Sequence, residues 1–192
     1  VAYGKIIPER FINLPKYGTI NVHYSLLPKY RGATPVESAI LHGDETTGIA
    51  IQQMRFKLDT GPILIQKEVP VEKTDTTISL REKLNSEAEN LLPETIRNIF
   101  EGNVNPKEQP EEGASNCKKI SKEDGLIDIE SDAIINDRKY RAYYGSIGTY
   151  FFSDGKRIKI TKAHLEGERF VIDEIIPENG KKMPYDTFVS SL

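Results

Sequence analysis

Between residues 19 and 24 apolar and polar side chains alternate, with Ile20, Val22 and Tyr24 on one parity and Asn21 and His23 on the other. Successive side chains of a strand point to opposite faces, so the pattern predicts a strand from which Asn21 and His23 look out together. Pro28 and Gly32 break the run and place the polar pair near the strand's C-terminal end, where open α/β sheets bind their ligands. Upstream, residues 1–4 read as the end of a buried strand and residues 6–12 as a short helical turn. Downstream, Thr34-Pro35 predicts an N-cap followed by proline at the first helical position, with a helix running to Leu41 and closing at Gly43. Residues 48–54 and 63–71 predict two further strands, separated by a loop that contains Asp59-Thr60-Gly61. Leu80, Leu84, Ala88, Leu91, Leu92, Ile96 and Ile99 recur at helical spacing across residues 77–100, with a kink expected near Pro93 and a stop at Gly102. Strand and helix alternate throughout, which predicts a parallel α/β sheet.

The pattern changes at residue 103. Residues 103–117 are rich in Pro, Glu, Gly, Asn and Ser, with almost no large apolar side chain, and read as a linker between a first domain, 1–102, and a second, 118–192. In the second domain residues 131–142 predict a helix. Residues 147–152, 157–161 and 170–176 predict strands joined by hairpin turns at Asp154-Gly155 and Glu166-Gly167. Short strands at regular spacing imply a small β-barrel.

Composition narrows the classes. The 192 residues carry 26 Lys+Arg against 29 Asp+Glu, a formal charge of −3, which fits a soluble globular protein without a general bias toward nucleic acid or membrane. The single cysteine, Cys117, excludes an internal disulfide and favours a reducing cytoplasm. No apolar run approaches the roughly 20 residues of a membrane helix, and no signal peptide opens the chain. Because it begins directly in V-A-Y-G, the chain reads as lacking the first part of its N-terminal domain. Charge is uneven: residues 116–192 hold 13 basic and 13 acidic side chains, and four of those positives lie within 156–162.

Three side chains carry candidate chemistry. Asn21 supplies a neutral amide donor, and His23 is the side chain whose ordinary pKa lies nearest physiological pH. A solvated edge strand would carry the same pair, but the loop after it, S-L-L-P with Arg31-Gly32 beyond, keeps two leucines in a proline- and glycine-punctuated segment suited to walling a pocket. Asp59, in L-D-T-G, reads either as an ordinary turn residue or as the carboxylate that orients His23 and fixes its tautomer. In Lys156-Arg157-Ile158-Lys159-Ile160-Thr161-Lys162 the two isoleucines face one way and Arg157 and Lys159 the other, as on a solvated strand or on a phosphate-contacting one. No metal-ligand spacing, phosphate loop or dinucleotide glycine motif occurs.

Three blocks, A-Y-G-K-I-I-P, I-N-V-H-Y-S-L-L-P-K-Y-R-G-A-T-P and Q-M-R-F-K-L-D-T-G-P-I-L, occur in an order that resembles the catalytic half of the folate-dependent formyltransferases. K-K-I-S-K-E-D-G-L-I-D, D-G-K-R-I-K-I and P-E-N-G-K-K-M are similar to the C-terminal domain of the methionyl-tRNA formyltransferases within that family. The chain departs from it at R-A-Y-Y-G-S-I-G, where the family commonly shows an asparagine-proline-tryptophan-proline segment. The resemblance implies an α/β fold, a partial Rossmann-like formyltransferase domain followed by a small OB-like β-barrel. It implies Asn21, His23 and Asp59 as the catalytic set. Ala2, Tyr3, Gly4, Ile6, Ile7, Pro8, Ser25, Leu26, Leu27, Pro28, Leu58 and Thr60 would form the 10-formyl-tetrahydrofolate site, with no metal. Arg31, Lys156, Arg157, Lys159 and Lys162 would contact initiator methionyl-tRNA. A cytoplasmic monomer acting in translation initiation is expected, and this stretch alone is expected to be inactive. The rivals are a sugar-nucleotide N-formyltransferase, a glycinamide ribonucleotide formyltransferase, a 10-formyl-tetrahydrofolate hydrolase and a non-catalytic tRNA-binding module.

Overall fold

In the computed structural model, residues 7–191 are described, so the expected strand at 1–4 and the candidates Ala2, Tyr3, Gly4 and Ile6 lie outside them. The chain divides into two units. The first comprises Val1–Ala39, Asp44–Lys73 and Ser79–Lys119, and the second Ile40–Gly43, Thr74–Ile78 and Ile120–Leu192.

The first unit is built on a three-stranded sheet. The alternating stretch forms β1 (Ile20–His23), and a two-residue strand, β2 (Arg31–Gly32), follows the loop. Helix α1 (Glu9–Ile12) precedes them and α2 (Pro35–His42) comes after. Strands β3 (Thr46–Gln53) and β4 (Ile63–Pro70) complete the sheet in the order β1-β3-β4. Both pairings are antiparallel, which corrects the parallel sheet expected from the alternation of strands and helices. For β3 and β4 the reason is connectivity. A parallel neighbour needs a full crossover of a dozen or more residues, and β3 and β4 are joined by nine residues, 54–62, without a helix. Strand β3 lies in the middle and is buried from Thr47 to Gln52, and Ile49, Ala50 and Ile51 are wholly inaccessible, as a covered central strand requires.

Helix α3 (Thr77–Glu101) presents Leu80 and Leu84, one turn apart and both fully buried. It continues through Pro93. At its end Gly102 takes φ +74°, Asn103 N–H reaches Asn98 O (2.8 Å) and Gly102 N–H reaches Ile99 O (3.3 Å). That pair of bonds satisfies the last carbonyls in a Schellman arrangement, for which a residue without Cβ is best suited.

The segment expected to be a linker is bound along the first unit. Lys107 exchanges both backbone hydrogen bonds with Ile63 (2.8 Å each), and β5 (Asn116–Cys117) pairs parallel with β2. Thr34, expected to cap α2, instead donates its hydroxyl to Lys118 O (2.7 Å). The composition correctly implied few buried side chains, but backbone groups join a sheet edge without needing any.

The second unit opens with a 3-10 turn (Lys122–Gly125) and helix α4 (Ala133–Tyr143). Asp132 caps α4 by accepting Ile134 N–H (2.8 Å) and Ile135 N–H (3.0 Å). Four antiparallel strands follow in sequential order: β6 (Thr149–Ser153), β7 (Lys156–Glu166), β8 (Arg169–Pro177) and β9 (Met183–Pro184), then α5 (Tyr185–Val189). Asp154 and Gly155 both have positive φ (+49° and +72°), as the tight β6–β7 hairpin demands. The core is one cluster of Ile127, Tyr140, Phe151, Ile158, Ile160, Ala163, Ile172, Ile175 and Phe188. Strand β7 is twice the expected length because register shifts around Lys162 let its pairing with β8 continue to Glu166.

Candidate active site

Strand β1 and the loop 54–62 bring Asn21, His23 and Asp59 together. Asn21 and His23 share a face of β1, as the alternation requires, and Asp59 meets both. Asn21 Nδ2 donates to Asp59 Oδ1 at 3.4 Å, and His23 Nδ1 lies 3.6 Å from Asp59 Oδ2. His23 and Asp59 are buried.

The carboxylate has two partners that composition and motif had not singled out. Gln52, directly across the ladder from Asn21, donates Nε2 to Asp59 Oδ1 at 2.8 Å. Gly32 N–H donates to Asp59 Oδ2 at 2.9 Å. The signal for Gln52 was present, since it is a polar residue inside an otherwise apolar central strand and a buried amide must find partners. Its Oε1 accepts Gly61 N–H (3.2 Å), which ties the loop back to the strand.

Asp59 itself has φ +51°, a left-handed conformation that costs a residue with a side chain about 1–3 kcal/mol unless its surroundings enforce it. Gly61 enforces part of the path: a Cβ there would lie 1.6 Å from Gln53 O, so no other residue fits without moving the strand.

The tautomer of His23 follows from its second contact. Nε2 lies 2.8 Å from Tyr30 O, and a carbonyl only accepts, so Nε2 carries the hydrogen. Nδ1, facing the carboxylate, is then the ring's proton acceptor. Tyr30 is held in turn: its hydroxyl donates to Asp44 Oδ2 (2.9 Å), which also accepts Lys29 Nζ (2.7 Å). Burial, and then Asp44, push the Tyr30 phenol well above its usual range. Cys117, on β5, lies beside the same turn. Its Sγ contacts the carbonyls of Tyr30 (3.4 Å) and Arg31 (3.5 Å) and accepts Thr34 N–H (3.3 Å), and burial pushes the thiol up.

The other site candidates separate by exposure. Ser25 is fully buried and donates its hydroxyl to Lys29 O, and Leu27 is buried too, so both fill the loop's own interior. Leu58, on the other hand, is 66% exposed beside Asp59, with Thr60 half-buried on the other side. Ile7, Leu26 and Pro28 are half-buried, and Pro8 is exposed. A cavity of about 210 Å³ lined by Ile12, Thr19, Gln53, Met54, Arg55 and Pro62, among others, includes none of the three central side chains. It is smaller than most small-molecule sites.

Arg31 was expected on a tRNA-contacting surface, and the structure corrects this. It is only 5% exposed, its Nε donating to Gln109 Oε1 at 2.9 Å. Its neighbour Gly32 is the residue that reaches Asp59, and this places Arg31 inside the unit. The basic strand β7 is exposed as expected. Ile158 and Ile160 point into the core, and Arg157 and Lys159 outward. Arg157 lies over the Tyr150 ring (3.7 Å to its centroid) and opposite Phe152, which is 56% exposed. Lys156 has the parity of the isoleucines and reaches solvent at the hairpin end, and Lys162 is exposed at the register shift. Among the described residues there is no group of three or more His, Cys, Asp or Glu that could hold a metal ion, and no helix long and apolar enough to cross a membrane.

Comparison with known proteins places this arrangement. Residues 1–96 match the model described as Formyl transferase, and residues 119–171 that described as Formyl transferase, C-terminal domain. A methionyl-tRNA formyltransferase from Caldanaerobacter subterraneus subsp. tengcongensis is 43% identical over 164 residues, 85% of this chain and 53% of that protein. The structure of a methionyl-tRNA formyltransferase from Clostridium thermocellum has a TM-score of 0.67 at 21% identity, over 83% of this chain and 69% of that one. A sugar N-formyltransferase from a Shewanella species has a TM-score of 0.69 at 25% identity, over 85% and 68%. The chain spans about half the length of the curated relatives it matches. From matches in both its N-terminal and its C-terminal parts, the chain belongs to the formyl transferase family.

Proposed function

We propose that the protein carrying this chain transfers a formyl group from 10-formyl-tetrahydrofolate to the α-amino group of initiator methionyl-tRNA, in the cytoplasm, at the start of translation. The observation that carries the chemistry is the convergence of the Asn21 amide, the His23 imidazole and the Asp59 carboxylate. The choice of acceptor rests on the similarity to methionyl-tRNA formyltransferases, which extends past residue 119. In this reading the first unit is part of a Rossmann-like catalytic domain and the second an OB-like domain that supports the tRNA, with residues 103–117 joining them.

The folate supplies the formyl carbon, and the exposed Leu58, with Leu26, Pro28 and Thr60, suits a flat, partly apolar ligand. Negative charge gathers on the formyl oxygen as the amine adds, and a preorganised donor aimed there lowers the barrier most. Asn21 is that donor: one N–H of its amide is turned to Asp59 and the other is available. His23 cannot share the task through Nε2, whose hydrogen is committed to Tyr30 O. Nδ1 is instead the acceptor for the proton released by the amine, and the imidazolium returns a proton to the folate nitrogen as the bond between that nitrogen and the formyl carbon breaks and tetrahydrofolate leaves. Asp59, 3.6 Å from that nitrogen, stabilises the imidazolium as it forms.

The test is formyl transfer by the intact protein from labelled 10-formyl-tetrahydrofolate, with methionyl-tRNA and an amino-sugar nucleotide offered in parallel. Transfer to methionyl-tRNA is expected. Asn21→Ala should lower its single-turnover rate by about 10²–10³, the usual cost of one oxyanion donor. A near-normal rate in Asn21→Ala would remove the assignment. Preference for the sugar would favour the second reading, which rests on the likeness to the Shewanella enzyme.

A further inference from the structure

We propose that Gln109 is a positioning residue for the reaction, holding Asp59 in the geometry that serves His23. The inference rests on the reading of Asp59 given above and concerns a side chain from the stretch whose composition implied only a linker.

The carboxamide of Gln109 binds the site in two directions. Its Nε2 donates to Asp59 O (2.9 Å) and to Gly61 O (2.7 Å), with Gln52 Oε1 at 3.4 Å. Its Oε1 accepts Arg31 Nε (2.9 Å). Arg31 precedes Gly32, whose N–H holds Asp59 Oδ2, so one amide ties together the backbone of Asp59 and the strand that supplies a donor to its carboxylate. Gln52 closes the circuit, donating to Asp59 Oδ1 and accepting Gly61 N–H.

Two features argue that this brace acts on the chemistry as well as on the fold. Asp59 has a positive φ, so its side-chain direction depends on what restrains its backbone. The Gln109 contacts fall on residues 59 and 61 themselves, between the turn and the base of the loop. Gln109 is itself held in place, between the Lys107–Ile63 backbone pair on one side and the Ser115 and β5 contacts to residues 30–32 on the other. The task also needs an amide. A carboxylate at 109 could accept from Arg31 but could not donate to two carbonyls, and alanine could do neither.

The test compares Gln109→Ala and the isosteric Gln109→Glu in the intact protein, with Arg55→Ala as a control that breaks a bond of the same segment outside this network. Both Gln109 variants should lose tenfold or more in kcat, with KM for methionyl-tRNA and for the formyl donor within about threefold. Amide exchange at Gly32 and Gly61 should quicken. Arg55→Ala should keep kcat. Gln109→Glu covers the case in which Gln109→Ala does not fold. A folded Gln109 variant with unchanged kcat would overturn the proposal. If the wild type formylates no amine, the functional reading fails on its own. The brace is then judged by amide exchange and the His23 ring resonances, and their indifference to Gln109→Glu would sink it too.

Discussion

Tyr30 shows how far a single residue's environment reaches. Its carbonyl fixes the tautomer of His23 and its phenol is anchored on Asp44, so the side chain is a strut for the site as well as a core residue. Burial and Asp44 raise its pKa in the folded protein. A group whose pKa is raised on folding stabilises fully below its unfolded value, here about 10, and loses that contribution as pH rises through the folded value. The stability difference between wild type and Tyr30→Phe should therefore be largest at neutral pH and shrink above pH ~10, as urea unfolding at several pH values would show. A constant difference across that range would mean that the phenol is not selectively held neutral by the fold. Gly61 makes the complementary point, because what matters there is an absence: the missing Cβ lets the base of the loop pass against Gln53 O.

Elements were readable where their causes are local. The α3 stripe and its Gly102 stop, the Asp154-Gly155 hairpin and the β1 alternation each depend on residues within a few positions, and the structure has them all. Helix α4 belongs with these, and its start is set by one side chain. Asp132→Ala should remove the bonds to Ile134 and Ile135 and cost about 1 kcal/mol. Chemical denaturation of the intact protein checks this, and a change below a few tenths would show the cap to be redundant. The sheet's direction was not readable, because a short apolar run looks the same in a parallel and an antiparallel ladder. The fate of residues 103–117 was hidden for a similar reason: they bind through backbone groups and one glutamine, which leave no hydrophobic pattern.

At the scale of the whole molecule, the two units carry different kinds of evidence. The first concentrates buried polar side chains around a carboxylate, and the second exposes cations on a strand whose other face is core. If Arg157 and Lys159 bind phosphates, the double substitution to alanine should weaken tRNA binding for many sequences alike. The slope of log K against log salt should then fall by about 1 for every phosphate that is no longer neutralised. Filter binding across a salt series would measure it, and an unchanged slope would move the tRNA surface elsewhere. The sequence by itself determined the strand, its paired polar residues, the helices with the glycines that stop α2 and α3, and the three blocks that mark the family. Only the tertiary structure decided that Gln52 and Gln109 join the site, that Arg31 is buried, and that His23 meets Asp59 through Nδ1. The division has a physical cause. Periodicity and capping are interactions among near neighbours, whereas a buried polar group takes whichever partner the folded chain brings within about 3 Å, and the Arg31–Gln109 pair of this site is 78 residues apart along the chain.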